Sequence, residues 1–225
     1  CKGTQVWFTR LHETDNGAFL RKDGMLCMAE NGVVTPFLAQ KDVKLRGLHN
    51  IENLLAAAAA VWGEVPVEAI QKVGSTFTGV EHRIEPVRVL DGVTYYNDSI
   101  GTSPTRTIAG LRSFDQKVIL IAGGYDKHIP YEPLAPEIIQ HVKHLILMGA
   151  TGPRIEKAVR ERPEFEGCGL DIQHADDMQH AVELARACAQ PGDVVILSPA
   201  SASFDLYPNF EVRGRAYKKI VNDLK

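Results

Sequence analysis

The sequence predicts an α/β protein: a C-terminal doubly wound, mostly parallel sheet over residues 83–225, preceded by a β-hairpin and helix region over residues 1–82. Three observations carry this. Towards the C-terminus, Val/Ile/Leu-rich runs of strand length alternate with amphipathic stretches of helix length, the pattern of a parallel sheet covered on both faces. Towards the N-terminus, short apolar runs are broken by Asp15-Asn16-Gly17, Lys22-Asp23-Gly24 and Glu30-Asn31-Gly32, which is hairpin turn chemistry. A length of 225 residues suits one large domain, or one domain and a piece of another.

Taken in order, residues 5–40 predict a small antiparallel sheet, which cannot close a core alone and must lean on the helices that follow or on something else. Residues 49–63, rich in alanine and leucine, predict a helix, and residues 65–73 begin another after Pro66. Residues 79–98 read as a hairpin turning at Asp91-Gly92. From there the predicted strands are 94–98, 117–123, 144–149, 170–173 and 193–199. Helices are predicted near 104–113, 132–142, 151–161, 176–189 and 209–224.

Composition excludes several classes. A net charge of -3, with 24% charged and 44% hydrophobic residues, provides no basic excess for nucleic acid. The longest apolar run, Leu54 to Trp62, is too short to cross a membrane. Cys1, Cys27, Cys168 and Cys188 form no C-x-x-C pair, so neither a zinc ribbon nor a disulfide framework is expected. A cytoplasmic monomer is the expectation. The start, CKGTQVWFTR, has no signal peptide and reads like a chain entered partway through.

In a parallel sheet the strand carboxyl ends share one edge, which here collects NDSIGTS (97–103), AGGYDKH (122–128), GATG (149–152) and SPASASFD (198–205). The first of these leads into PTRT and permits two readings. Its hydroxyls and carboxylate could cap a helix whose N1 residue is Pro104, or the strand end and helix N-terminus could hold a ligand. Lys127, after the conformationally free Gly123-Gly124, is either a partner for a carboxylate or phosphate or a solvated loop lysine. Ser198, Ser201 and Ser203 lie in a long connection whose Phe204, Tyr207 and Phe210 would be costly to expose, so a packed lid or pocket wall is expected. Other motifs fail. No G-x-x-x-x-G-K-[ST] is present, GATG lacks G-x-G-x-x-G and reads as a structural turn, and no catalytic triad spacing stands out. His141 and His144 are expected to end a helix rather than bind metal. Asp176-Asp177 is expected to cap the next helix.

The ordered set HNIEN (49–53), EHR (81–83), NDSIGTSPT (97–105), GGYDK (123–127) and LSPASASFDLYPNFEVRG (197–214) resembles the Mur ligases, ATP-dependent amide-bond-forming enzymes of peptidoglycan synthesis. The D-glutamate-adding branch is the nearest match. The resemblance implies that residues 1–82 end a central ATPase domain and residues 83–225 form the Rossmann-like C-terminal domain. The UDP-binding domain, the Gly-rich phosphate loop, the magnesium ligands and a modified lysine would then precede residue 1, and this fragment alone should not turn over.

The resemblance further implies ATP and Mg2+ as cofactors, and UDP-N-acetylmuramoyl-L-alanine and D-glutamate as substrates. ATP phosphorylates the substrate carboxylate, and the amino acid's amine attacks the acyl phosphate. Carried over by position, Asn50 and Asn53 lie at the adenine side of ATP, Arg83 at its phosphates and Asp98 at its ribose. Thr102, Lys127, Ser203 and Phe210 hold the incoming amino acid, with the Lys127 ammonium suited to an acidic acceptor. Many members have lysine where this chain has Ile100; Arg106 is a candidate replacement. The EHR segment around His82 is the expected hinge. The alternatives are a sister ligase, a folylpolyglutamate synthase, or a non-catalytic nucleotide- or precursor-binding module.

Overall fold

The structure is a computed structural model that describes Gly3 and residues 5–225; Cys1 lies outside them. The chain divides into two units, Cys1–Thr78 and Gly79–Lys225.

In the first unit, β1 (Trp7–Thr9), β2 (Gly17–Leu20), β3 (Met25–Glu30) and β4 (Val33–Ala39) form one sheet in that order. The β2–β3 and β3–β4 pairs are antiparallel, as expected. Asn31 and Gly32 both adopt positive φ between β3 and β4, which is why this dipeptide makes a tight hairpin. The first pair corrects the expectation of an all-antiparallel sheet: β1 runs parallel to β2, with Trp7 opposite Gly17. The reason lies in Asn16-Gly17, which serves close approach instead of a turn. The Asn16 side chain donates to the Gln5 carbonyl at 2.7 Å, and a Cβ on Gly17 would sit 2.0 Å from the Trp7 carbonyl oxygen. Helices α1 (Leu48–Val61) and α2 (Val67–Thr76) supply the cover this sheet needs. Ile51, Leu55 and Ala58, spaced to share one helix face, meet Ala18, Leu26, Phe37 and Ile70 in a common core.

The second unit begins with β5 (Glu85–Leu90) and β6 (Val93–Asn97), an antiparallel pair turning through Asp91 and Gly92, both at positive φ. There follow α3 (Pro104–Leu111), β7 (Val118–Gly123), α4 (Ala135–His141), β8 (Val142–Met148), α5 (Gly152–Arg160), β9 (Asp171–His174), α6 (Met178–Cys188), β10 (Val194–Leu197) and α7 (Phe210–Asp223). The sheet order is β5-β6-β10-β7-β8-β9, and every pair beyond β5–β6 is parallel. Alternation along β7 shows why both faces are covered: Leu120 and Ala122 pack with Leu111, Leu134, Ile138 and Ile155, whereas Ile119 and Ile121 pack with Ala181, Val182, Tyr217 and Val221. Each large apolar side chain removed from water contributes about 1.5–3 kcal/mol, so a strand buried on both faces anchors the unit.

One expectation about a helix end fails. His141 ends α4, but β8 starts at the next residue, so His144 is a strand residue whose Nδ1 lies 3.3 Å from Asp171 Oδ2. The cap on α6 is as predicted, the Asp177 carboxylate accepting from the His180 amide at 2.8 Å. Replacing Asp177 by alanine is expected to cost about 1 kcal/mol in urea unfolding; no loss would mean that the His180 amide finds water as readily as it finds Asp177.

The strand order also positions the site. Because β10 lies between β6 and β7, the connections from neighbouring strands leave towards opposite faces, the topology at whose strand carboxyl ends open α/β sheets hold ligands.

Candidate ligand site

Three loops leave the shared carboxyl edge of β6, β10 and β7 and are bonded to one another. Asp98 N donates to the Leu197 carbonyl at 2.8 Å, Gly123 N to Pro199 at 2.8 Å and Tyr125 N to Ala202 at 2.9 Å. The approach leaves no room for side chains at the end of β7. A Cβ on Gly123 would lie 1.9 Å from the Met148 carbonyl oxygen, and one on Gly124 2.3 Å from that of Ala202, with both residues at positive φ.

Arg213 is the organiser that sequence reasoning missed. It is 2% exposed, and its guanidinium makes five hydrogen bonds: Nε to Ser99 Oγ, Nη1 to the Ser201 and Ala202 carbonyls, and Nη2 to the Ser99 and Ser201 carbonyls, all at 2.9–3.1 Å. It thereby joins the loop after β6 to the loop after β10. Burial pulls its pKa down to about 10, and Asp205 and Tyr207 work in the opposite direction. One signal was present in NFEVRG. A cation in the first turn of a helix opposes the macrodipole, so an arginine there needs a specific partner.

Asp98 is the second buried charge, 4% exposed. Its Oδ1 accepts from the Ile84 amide at 3.2 Å and its Oδ2 from Ser198 Oγ at 2.7 Å, while Ser198 Oγ lies 3.0 Å from Thr107 Oγ1. Burial raises its pKa from 3.8 to about 6, opposed by the Ser198 and Ile84 hydrogen bonds and then by Arg83 and Arg106. Each carboxylate oxygen thus accepts one hydrogen bond, which leaves lone pairs for a further donor.

His82, expected at the hinge, belongs to the second unit and is buried there. Its Nδ1 lies 2.9 Å from the Asn97 amide nitrogen, which makes Nδ1 the acceptor, and its ring meets Phe210 edge-on at 5.8 Å. Donor atoms of Glu81, His82 and Glu85 lie within 4.8 Å of one another, the arrangement of a cation site. The Lys218 ammonium fills that role, 2.7 Å from Glu81 and 2.8 Å from Glu85.

The residues singled out from sequence fall into two groups. Asn50 and Asn53 stand on α1 of the first unit. Asn50 is buried and donates to the Arg46 carbonyl at 2.7 Å, and Asn53 is exposed and donates to Asn50 Oδ1 at 3.1 Å. The others belong to the second unit. Arg83 and Lys127 are exposed, and neither side chain makes a hydrogen bond or ion pair to the described residues. Thr102 is half-buried. Ser203 is buried, its carbonyl accepting from the Leu206 and Tyr207 amides at 3.0 and 2.7 Å. Phe210 is half-buried and its carbonyl accepts from Ser99 Oγ at 2.8 Å. Ile100 is half-buried and Arg106 exposed.

Two expectations are corrected here. Side-chain capping does not account for NDSIGTSPT: Ser103 is the N-cap of α3 yet makes no cap bond, its hydroxyl turning to Thr105 Oγ1 at 3.2 Å. Phe204 is not packed away. It is 64% exposed, and its ring meets the exposed Tyr125 ring edge-on at 5.9 Å. The GATG turn is structural, as expected, with Thr151 N bonded to the Gly124 carbonyl at 3.0 Å and Ala150 N to Asp205 Oδ2 at 3.2 Å.

Comparison with known proteins places this architecture. The family described as "Mur ligase, glutamate ligase domain" matches residues 82–201, more than half of the chain. The chain belongs to the Mur ligase family. A UDP-N-acetylmuramoylalanine--D-glutamate ligase of Acetivibrio thermocellus is 53% identical over 226 residues, covering 100% of this chain and 48% of the relative. One from Clostridium novyi is 48% identical, covering 99% of this chain and 48% of the relative. This Mur ligase chain thus spans about half the length of the curated relatives it matches. Among solved structures, a bifunctional folylpolyglutamate synthase/dihydrofolate synthase from Yersinia pestis aligns with TM-score 0.64 at 15% identity, over 97% of this chain and 48% of that one. MurF from Acinetobacter baumannii aligns with TM-score 0.61 at 15% identity, over 94% and 46%. At such identities the structural likeness speaks for the fold. Of the described residues, no helix is long and apolar enough to cross a membrane.

Proposed function

We propose that this chain is the acceptor-binding, ATP-closing part of a cytoplasmic ligase that joins D-glutamate to UDP-N-acetylmuramoyl-L-alanine, with residues 1–82 completing a central ATPase domain. The observation that carries the reading is Lys127. It stands on a loop hydrogen-bonded to the loop after β10, exposed and without a partner among the described residues, on a chain about 50% identical to D-glutamate ligases. An unpaired ammonium suits a substrate that brings its own carboxylate and disfavours a basic one.

In this reading Thr102, Ser203 and Phe210 flank the amino acid, and Lys127 holds its side-chain carboxylate. Arg83, equally unpaired, meets the ATP phosphates, where a guanidinium stabilises charge developing on the transferred phosphoryl group. Asp98 lies at the ribose side, and Asn50 and Asn53 at the adenine side. Arg106 takes the place of the lysine that Ile100 replaces. ATP supplies the phosphoryl group that activates the substrate carboxylate. The magnesium ligands are assigned to the part of the full-length protein that this chain does not span.

The test is phosphate release by the full-length gene product with ATP, magnesium and UDP-N-acetylmuramoyl-L-alanine, offering D-glutamate, L-glutamate, L-lysine or meso-diaminopimelate in turn. Release with D-glutamate alone is expected, and Lys127→Ala is expected to lower kcat/KM for D-glutamate about 10–100-fold, the worth of one charge-assisted hydrogen bond. Release with a different acceptor would move the enzyme to a sister step. No release with any acceptor would favour a non-catalytic binding module.

A further inference from the structure

Lys127 has a carboxylate as its immediate neighbour in sequence, Asp126, which is poorly suited to a site for an acidic acceptor. The structure shows what becomes of that charge. Arg154, from the first turn of α5, donates Nη1 to both oxygens of Asp126 at 2.5 Å. The same guanidinium lies over the Tyr131 ring, 5.4 Å from its centre, and Tyr131 in turn bonds through its hydroxyl to Ser201 at 2.7 Å. Asp126 Oδ1 also accepts from the His128 amide at 2.7 Å, and His128 Nδ1 lies 3.5 Å from Oδ2. The Asp126 charge is therefore paired with an arginine 28 positions along the chain. The helix itself does not favour a cation at Arg154. The first turn of α5 contains no acidic residue, and a cation there is disfavoured by the macrodipole.

We propose that Arg154 is a specificity-determining residue: by binding Asp126 it masks the carboxylate beside Lys127, so that the loop offers one unopposed positive charge to an acidic acceptor. The inference rests on the reading of Lys127 as the acceptor's partner. Without Arg154, the freed carboxylate has two ways to weaken the site. It can pair with Lys127, or it can repel the incoming carboxylate; both act on acceptor binding and neither on ATP.

The experiment uses the full-length enzyme. Arg154→Met is expected to raise KM for D-glutamate about tenfold, with kcat and KM for ATP changed less than about twofold, and the effect should shrink at high salt because the charges are partly exposed. Arg154→Lys, which keeps the charge, should stay near wild type. The deciding variant is the double Asp126→Asn/Arg154→Met. Asparagine still accepts from the His128 amide but carries no charge, so masking is no longer needed and KM should return to near wild type. If KM stays high in the double variant, the pair only shapes the loop and the masking role is wrong. An Arg154→Met variant with unchanged KM would overturn it as well. Lys127→Ala separates the two levels: if it leaves KM for D-glutamate unchanged, the acceptor-site reading itself fails. If it raises KM while Arg154→Met does not, only the masking role fails.

Discussion

Arg213→Met is expected to destabilise the second unit by about 3–5 kcal/mol, since each buried acceptor left without a donor costs about 1–3 kcal/mol and several are left at once. Methionine fills much of the volume, so the loss is not mainly a cavity. It comes from the carbonyls of Ser99 and Ser201 and from Ser99 Oγ, which lose the guanidinium as donor while buried, and from the Ala202 carbonyl, which keeps only the Tyr125 amide. Arg213→Lys is expected to recover only part of this. An ammonium has three donors on a point, whereas the two loops are held by a planar fork. Urea unfolding followed by circular dichroism measures both variants. If Arg213→Met stays within about 1 kcal/mol of the parent, the loops hold together without the guanidinium and Arg213 is not their organiser.

Asp98→Asn is expected to do the opposite near neutral pH. The carboxyl group is buried, with a pKa raised from 3.8 to about 6. A raised carboxyl pKa means that the folded state binds the proton more tightly than the unfolded one, so stability falls as pH rises through this window. Below about pH 4 both states are protonated and the penalty is absent. Above about pH 6 it is complete, at about 3 kcal/mol for a shift of about two units. Asparagine removes the charge and keeps the bonding, since its carbonyl accepts from the Ile84 amide and its amide donates to Ser198. The difference in stability between Asp98→Asn and the parent should therefore rise from near zero at pH 4 to a plateau above pH 6. Taking the difference cancels the salt-bridged carboxylates, such as Glu81, Glu137 and Glu156, whose lowered pKa values give the opposite slope in both proteins. A flat difference would mean that Asp98 titrates normally. A variant more stable than the parent is also the expected signature of a residue retained for ligand chemistry rather than for folding.

How much of this could be read beforehand depends on the range of the interaction involved. The strands and helices of the second unit lie close to where Val/Ile/Leu runs and helical periodicity put them, because a strand buried on both faces has few alternatives to an uninterrupted apolar run. The shared carboxyl edge followed from parallel topology, and with it the loops that carry Thr102, Lys127 and Ser203. The errors arose where one local signal serves two structures. Asn16-Gly17 marks either a tight hairpin or a close backbone approach, and only the Trp7 contact decides which. His144 drew two readings, the end of a helix and the start of the strand over 144–149, because β8 follows α4 with no turn residue between them. Arg213 and the Asp126–Arg154 pair were beyond reach for a further reason: their partners lie far along the chain, and nothing in local periodicity says which loops the sheet brings together.

The place of β10 in the sheet has a consequence for how the molecule is made. The strand that completes the middle of the second unit is the last to leave the ribosome, since β6 and β7 each pair with Val194–Leu197 and not with each other. Until that segment emerges, β6 and β7 present facing edges with unpaired amides and carbonyls, the kind of surface that invites misassembly. The unit cannot close strand by strand during synthesis. A chain interrupted anywhere before residue 194 lacks the inner strand rather than an outer one, and the β5–β6 hairpin is then left with no route into the sheet.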